Sequence, residues 1–160
     1  MVCAFSGHRP EKLPWGTQTR DPRCLALQQR LRETIEELAD EGYTTFLCGM
    51  ARGCDQYFFD AVRQLRLYRS LRLVAVVPCP TQAARWPQID REWYADALEA
   101  ADEVQLLSMQ YYPGCMIMRN QHMVARAQLL LTVWDGSPGG TGSTIAYALE
   151  QGVPVRAIWR

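Results

Sequence analysis

Leu129-Leu130-Leu131-Thr132-Val133-Trp134-Asp135-Gly136-Ser137-Pro138-Gly139-Gly140-Thr141-Gly142-Ser143-Thr144 is the stretch on which the fold turns. Leu129–Trp134 is apolar but for Thr132, the pattern of a strand buried on both faces. Glycine, proline and serine then interrupt it, and Thr141–Gln151 resumes as a helix. A buried strand, a glycine-rich turn and a helix, in that order, form the repeating unit of parallel α/β sheets.

The same unit recurs outward in both directions. Val2–Ser6, Thr44–Cys48, Leu71–Val77, Glu103–Leu107 and Pro154–Trp159 read as strands, the fourth of them weakly. Between them Asp21–Glu41, Gly53–Tyr68, Asp90–Ala101 and Met116–Ala127 read as helices. In the first helix Leu25, Leu27, Leu31, Ile35 and Leu38 fall near helical spacing, and Gly42 follows as a stop. The alternation predicts one Rossmann-like three-layer α/β domain over residues 1–160, with a mainly parallel sheet and helices on both faces. Lys12–Gly16 is the one irregular stretch near the N-terminus.

Composition narrows the function classes. The chain has 160 residues, 48% of them hydrophobic, and its 17 basic residues balance its 17 acidic ones. No net positive field draws in nucleic acid or an anionic membrane, so neither is expected as a partner. The 6 cysteines include no CxxC pair, and the N-terminus lacks the pattern of a signal peptide, which predicts reduced thiols in a cytoplasmic protein. With only 2 histidines, no metal site is expected. Lys12 is the sole lysine; the many arginines supply planar forks suited to phosphate or carboxylate.

In parallel sheets ligands bind beyond the carboxyl ends of the strands. Four segments stand there. The sharpest is Asp135, Gly136, Ser137, Pro138, Gly139, Gly140, Thr141, Gly142, Ser143 and Thr144, where glycines admit a ligand to the backbone and helix-opening amides favour an anion. It is not a Walker A loop, since no lysine follows the glycines, nor a dinucleotide fingerprint, since Ile145 fills the last glycine position. The plainer reading is a capped turn. Gly49, Met50, Ala51, Arg52, Gly53 and Asp55 form the second segment, in which Asp55 either accepts from a ribose hydroxyl or caps the next helix. Ser6, Gly7, His8 and Arg9 form the first, with His8 either a ligand donor or a structural one. Pro78–Gln82 with Trp86 completes the set. Trp86, Trp93, Tyr111 and Tyr112 suit either base stacking or the core, and Cys48 and Cys54 lack a base that would make them nucleophiles.

Phe5–Pro10, the Gly-Met-Ala-x-Gly-x-Asp loop at Gly49–Asp55, Pro78–Gln82 with Trp86, and Gly139-Gly140-Thr141 together resemble the SLOG superfamily, in particular its small stand-alone YpsA-like branch. The superfamily includes the DNA-processing protein DprA and the LONELY GUY phosphoribohydrolases. The resemblance spans essentially the whole chain. It implies a Rossmann-like fold, frequent homo-oligomers and a nucleotide or nucleotide-derived ligand. The hydrolase pattern is Met-x-x-Arg-Lys-x-x-Met followed by Pro-Gly-Gly-x-Gly-Thr-x-x-Glu. Met116, Arg119 and Met123 match its first half, with Asn120 for the lysine. Pro138, Gly139, Gly140 and Gly142 match its second, with Ser143 for the threonine and Ala146 for the catalytic glutamate. Alanine cannot exchange a proton, so binding is expected rather than turnover, unless Asp55, Asp135 or Glu150 substitutes.

The expected ligand-binding set is therefore Ser6, Gly7, His8, Arg9, Gly49–Gly53, Asp55, Gln82, Trp86, Arg119, Asn120, Asp135, Gly136 and Gly139–Thr144, with no catalytic residue assigned and no cofactor beyond a nucleotide-derived ligand. The expected role is sensing or sequestering a signalling nucleotide. The alternative is a nucleoside-monophosphate phosphoribohydrolase or N-glycosidase. Single-stranded DNA binding ranks third and rests on the arginine run Arg63, Arg66, Arg69 and Arg72. Met116, Ile117 and Met123 are the apolar positions expected to pair subunits.

Overall fold

Strand β1 (Val2–Gly7) takes the middle of the sheet because it is apolar on both sides. In the computed structural model, which describes residues 1–158, Cys3 and Phe5 face one hydrophobic cluster and Ala4 the other. Strands β2 (Thr45–Cys48), β3 (Arg72–Val77) and β4 (Glu103–Leu106) extend the sheet to one side, and β5 (Leu129–Val133) and β6 (Val155–Ala157) to the other. The order is β4-β3-β2-β1-β5-β6, and every neighbouring pair is parallel.

Helices α1 (Pro22–Asp40), α2 (Cys54–Leu65) and α3 (Gln88–Ala100) cover one face; α4 (Cys115–Ala125) and α5 (Gly140–Glu150) cover the other. The first face is the larger core. Phe58 of α2 stacks on Phe5 of β1 with ring centroids 4.4 Å apart, and Leu31, Ile35 and Leu38 of α1 pack behind it, all fully buried. Each such side chain contributes roughly 1.5–3 kcal/mol relative to exposure. Asp21 starts α1 by accepting from the Arg23 amide at 2.8 Å, and Pro22 occupies the first helical position. Alternation leaves Val104 and Leu106 outward on the edge strand β4, which explains its weak signal in the sequence.

Most expected elements stand within three residues of their predicted ends, because helix termini fray into turns. A short 3₁₀ turn, Pro10–Lys12, opens the stretch expected to be irregular. The last strand is shorter than expected. Pro154 has no amide to give the ladder and contributes only its carbonyl, to Leu130 at 2.9 Å; Trp159 lies outside the described residues.

The order of strands decides where a crevice opens. From β1 the chain leaves toward α1 on one face, and from β5 it leaves toward α5 on the other. The two connections part between the carboxyl ends of adjacent strands, the position where open α/β sheets leave room for a ligand.

Candidate functional site

His8 bridges the parting loops. Its Nε2 lies 2.9 Å from Asp135 Oδ1 and 3.1 Å from the Asp135 amide, so the segments after β1 and β5 are held together just past their strands. The hydroxyl and amide of Ser137, together with His8, hold the Asp135 carboxyl well below the usual carboxylate range. Asp135 thus serves the loop's own geometry, and its side chain is committed inside the protein.

Arg119 forms the floor, and buried Gly49 lies behind it. The Arg119 guanidinium lies flat against this glycine: a Cβ at Gly49 would stand 2.7 Å from Arg119 Cζ. Arg119 Nη1 donates to the Gly49 carbonyl, Gln82 Nε2 donates to the same carbonyl at 2.9 Å, and Tyr94 donates to Gln82 at 2.8 Å. Arg119 Nε donates to Asn120 Oδ1 at 2.7 Å; Asn120 donates to Thr144 Oγ1 at 2.9 Å, and Thr144 donates to the Gly140 carbonyl at 2.8 Å. One chain of bonds therefore fastens β2, α4 and the start of α5. Asp55, also buried, accepts from the Ala51 amide at 2.9 Å. Burial pushes its carboxyl above the usual range, opposed by Arg119, the Ala51 amide and Arg9. Burial likewise lowers the basicity of Arg119, and Asp55 counters that.

Above this floor lies a cleft of about 370 Å³, within the range of small-ligand sites. Its walls bring together Ser6, Gly7, His8 and Arg9 from the first segment and Ala51 and Asp55 from the second. Arg119 and Asn120 come from α4, and Gly140 and Thr141 from the start of α5. The opening amides of α5 have no acceptor within the helix and carry its positive end. Arg9 is exposed on the rim and makes no ion pair among the described residues. Ser6 and Thr141 are each 7% exposed, and neither hydroxyl has a hydrogen-bond partner among the described residues.

Other expected residues stand apart from this cleft. Met50, at φ 62°, is wholly buried in the core and lines no part of the cleft. Arg52 turns to Asp90 at 2.9 Å, and Gln56 receives the Gly53 amide at 2.9 Å. Gln82 and Trp86 line adjoining hollows. Gly136, Gly139, Gly142, Ser143 and Thr144 shape the loop and the first turns of α5, with the Thr144 hydroxyl already used. Trp93 donates to Asp60 at 3.0 Å on the opposite side of α2.

Lys12 was missed by sequence reasoning. It precedes the glycine-rich loop by more than a hundred residues, yet its ammonium donates to Ser137 Oγ at 3.2 Å and to the Pro138 carbonyl. Gly139, at φ 147°, leaves room for it: a Cβ there would lie 2.6 Å from Nζ. Its being the sole lysine, in the loop after β1, was the only available signal. Lys12 also borders the cleft.

Three expectations are corrected. Met123 is 1% exposed and belongs to its own core, so it cannot pair subunits. Glu150 ends α5, about 15 Å along the axis from Gly140, too far to replace a carboxylate at the cleft. The arginine run is neutralised: Arg63 pairs with Asp96 at 2.7 Å, Arg66 with Asp102 at 2.8 Å, Arg69 with Asp40 at 2.8 Å and Arg72 with Glu103 at 2.5 Å. Spacing in sequence could not reveal the acids that face these arginines. No helix among the described residues is long and apolar enough to cross a membrane.

Comparison with known proteins agrees with this architecture. The SPbeta prophage-derived protein YoqJ of Bacillus subtilis (strain 168) is 27% identical over 143 residues, covering 81% of this chain and 84% of that protein. A UPF0398 protein of Halalkalibacterium halodurans is 26% identical over 153 residues, covering 93% and 78%. Two solved structures share the fold. DNA processing protein A of Helicobacter pylori, described for its single-stranded DNA binding mode, superposes with TM-score 0.65 at 15% identity, over 98% of this chain and 64% of that one. The Streptococcus pneumoniae protein gives TM-score 0.68 at 18% identity, over 98% and 49%. The chain thus spans less than two thirds of each of these two proteins, and identities this low speak for the fold alone. The YpsA family model, described as the YspA SLOG family, matches residues 3–152, and the chain belongs to that family.

Proposed function

We propose that this protein binds a phosphate-bearing nucleotide or nucleotide-derived ligand in the cleft between the carboxyl ends of β1 and β5. The observation that carries the reading is that Ser6 and Thr141 line the cleft with hydroxyls that no group among the described residues engages. Hydroxyls that reach a cleft and are not spent inside the protein can donate to a ligand and accept from it. Two free hydroxyls beside the positive end of α5 and the uncommitted Arg9 suit an oxyanion rich in acceptors.

Binding, as in a sensor or a protein that sequesters a signal, is favoured over hydrolysis. Ala146 is exposed on α5 and absent from the cleft wall, and Asp55 is turned to the Ala51 amide. Single-stranded DNA is the second reading. The likeness to the Helicobacter pylori protein favours it, while the neutralised arginine run weighs against it. Buried unpaired cysteines suit a reducing cytoplasm. Of the apolar positions expected to pair subunits, Ile117 is 53% exposed on α4 and available for it, with a homodimer or higher oligomer expected by light scattering.

Calorimetric titration with nucleoside mono- and diphosphates tests the reading, with base release followed in parallel. Gly140→Asp is the matching variant. A Cβ there meets nothing within 4 Å, so the fold should survive while a carboxylate opposes the phosphate. Binding by the wild type, lost by at least tenfold in the variant, is the expected outcome. Equal affinity in both removes α5 from the site. Tight, salt-sensitive binding of an oligothymidylate with no nucleotide binding would favour the second reading.

A further inference from the structure

Two further hollows adjoin the cleft. The first shares Arg9, Glu11, Ala51 and Met116 with it, and continues through Gln82 and Trp86 into an outer hollow that reaches Arg85 and Tyr111. The three run into one another along the carboxyl ends of β1, β2 and β3. The inner end is built for an anion, from Ser6, Thr141 and Arg9. The outer end, about 670 Å³, is aromatic.

We propose that the three hollows form one extended groove and that its occupant is a dinucleotide, two nucleotide units joined through phosphate, with its terminal phosphate at α5 and its distal base against Trp86 and Tyr111. This rests on the proposed nucleotide binding and names the ligand class for the same site.

Trp86 is fixed in place as a platform. Its ring meets Tyr94 edge-on at 5.3 Å and 88°, and Tyr94 is itself held by Gln82 and through it by Gly49. Its indole Nε1–H has no acceptor among the described residues, although the ring is half-buried. Tyr111 is 63% exposed across the outer hollow. Base faces stack on such rings regardless of sequence. Charge points the same way. Arg63, Arg66, Arg69 and Arg72 are spent on carboxylates elsewhere on the surface, whereas Arg9 and Arg85, spaced along the groove, have no carboxylate partner among the described residues. Of the acids on the groove wall, Glu11 leans to Arg52 at 3.7 Å and Asp55 accepts from the Ala51 amide at 2.9 Å. An uncommitted cation near each end and an aromatic platform at one end match phosphate, linking phosphate and base in succession. A mononucleotide would occupy only the inner end.

The test compares AMP, the 5′-phosphorylated dinucleotide pApA and an oligothymidylate by quenching of tryptophan fluorescence and by calorimetry, on wild type, Tyr111→Ala and Trp86→Ala. Wild type is expected to hold pApA at least tenfold tighter than AMP, the scale of one base–aromatic stack. Tyr111→Ala, a change at an exposed side chain, should bring the ratio of the two affinities toward one; Trp86→Ala should do so more fully. AMP binding with no advantage for pApA overturns the groove and leaves the proposed cleft standing. A pApA advantage that survives both substitutions overturns it as well. Binding of neither compound overturns the cleft and the groove together. Affinity that keeps rising to the long oligothymidylate replaces the dinucleotide with a strand.

Discussion

Arg119→Met removes a buried guanidinium while an unbranched side chain of similar length keeps most of the space filled. Arg119 is 3% exposed and bonded to Gly49 and Asn120, and it is the main counter-charge acting on buried Asp55. Breaking a buried charged arrangement by deleting one partner costs about 3–5 kcal/mol, against a total stability of roughly 5–15 kcal/mol. For a chain of this length that lowers Tm by about 6–20 °C. Asp55 gives the effect a pH signature. Its folded pKa lies above the ordinary 3.8, so between those values the native state retains a proton that the unfolded chain has released. Stability therefore falls as pH rises through that window. Without Arg119 the folded pKa rises further and the window widens. Scanning calorimetry should thus find the largest gap between wild type and variant at pH 7. The gap should narrow as pH falls toward the ordinary carboxylate range, where a protonated Asp55 needs no counter-charge. A gap that stays constant with pH would refute the coupling, and a gap under ~1 kcal/mol would class Arg119 with surface pairs.

Gly49→Ala drives a Cβ to 2.7 Å from the Arg119 guanidinium carbon and should cost about 1–3 kcal/mol in urea unfolding; an unchanged midpoint would mean the floor is loose. Thr132, fully buried on β5, has a hydroxyl without a partner, so Thr132→Val should leave stability unchanged or raise it by up to ~1 kcal/mol, and a clear loss would reveal a hidden acceptor. All six cysteines are buried and unpaired, and burial pushes the Cys3 thiol up to about 12. Ellman's reagent should therefore label native protein slowly and denatured protein at every thiol, and rapid native labelling would contradict that burial.

What the residues determined on their own was local. Short apolar runs with no room for a helix, closed by Gly7, Gly49 and Pro78 in the first three cases, specify strands, because a strand buried on both faces needs no partner to be read. The glycine-rich start of α5 was legible for the same reason: glycines followed by hydroxyl residues constrain the backbone over a few positions. Edge strand β4 was fainter, since one of its faces is uncovered and its apolar residues point outward. What tertiary structure decided was every pairing between distant residues. Lys12 meets Ser137, His8 meets Asp135, Arg119 lies on Gly49, and each of Arg63, Arg66, Arg69 and Arg72 finds an acid. Charge and hydrogen-bonding capacity are visible in a sequence, but whether they are spent inside the protein or left for a ligand depends on strand order. Here it is the placing of β5 beside β1 that brings the parted loops together and leaves Ser6, Thr141 and Arg9 uncommitted.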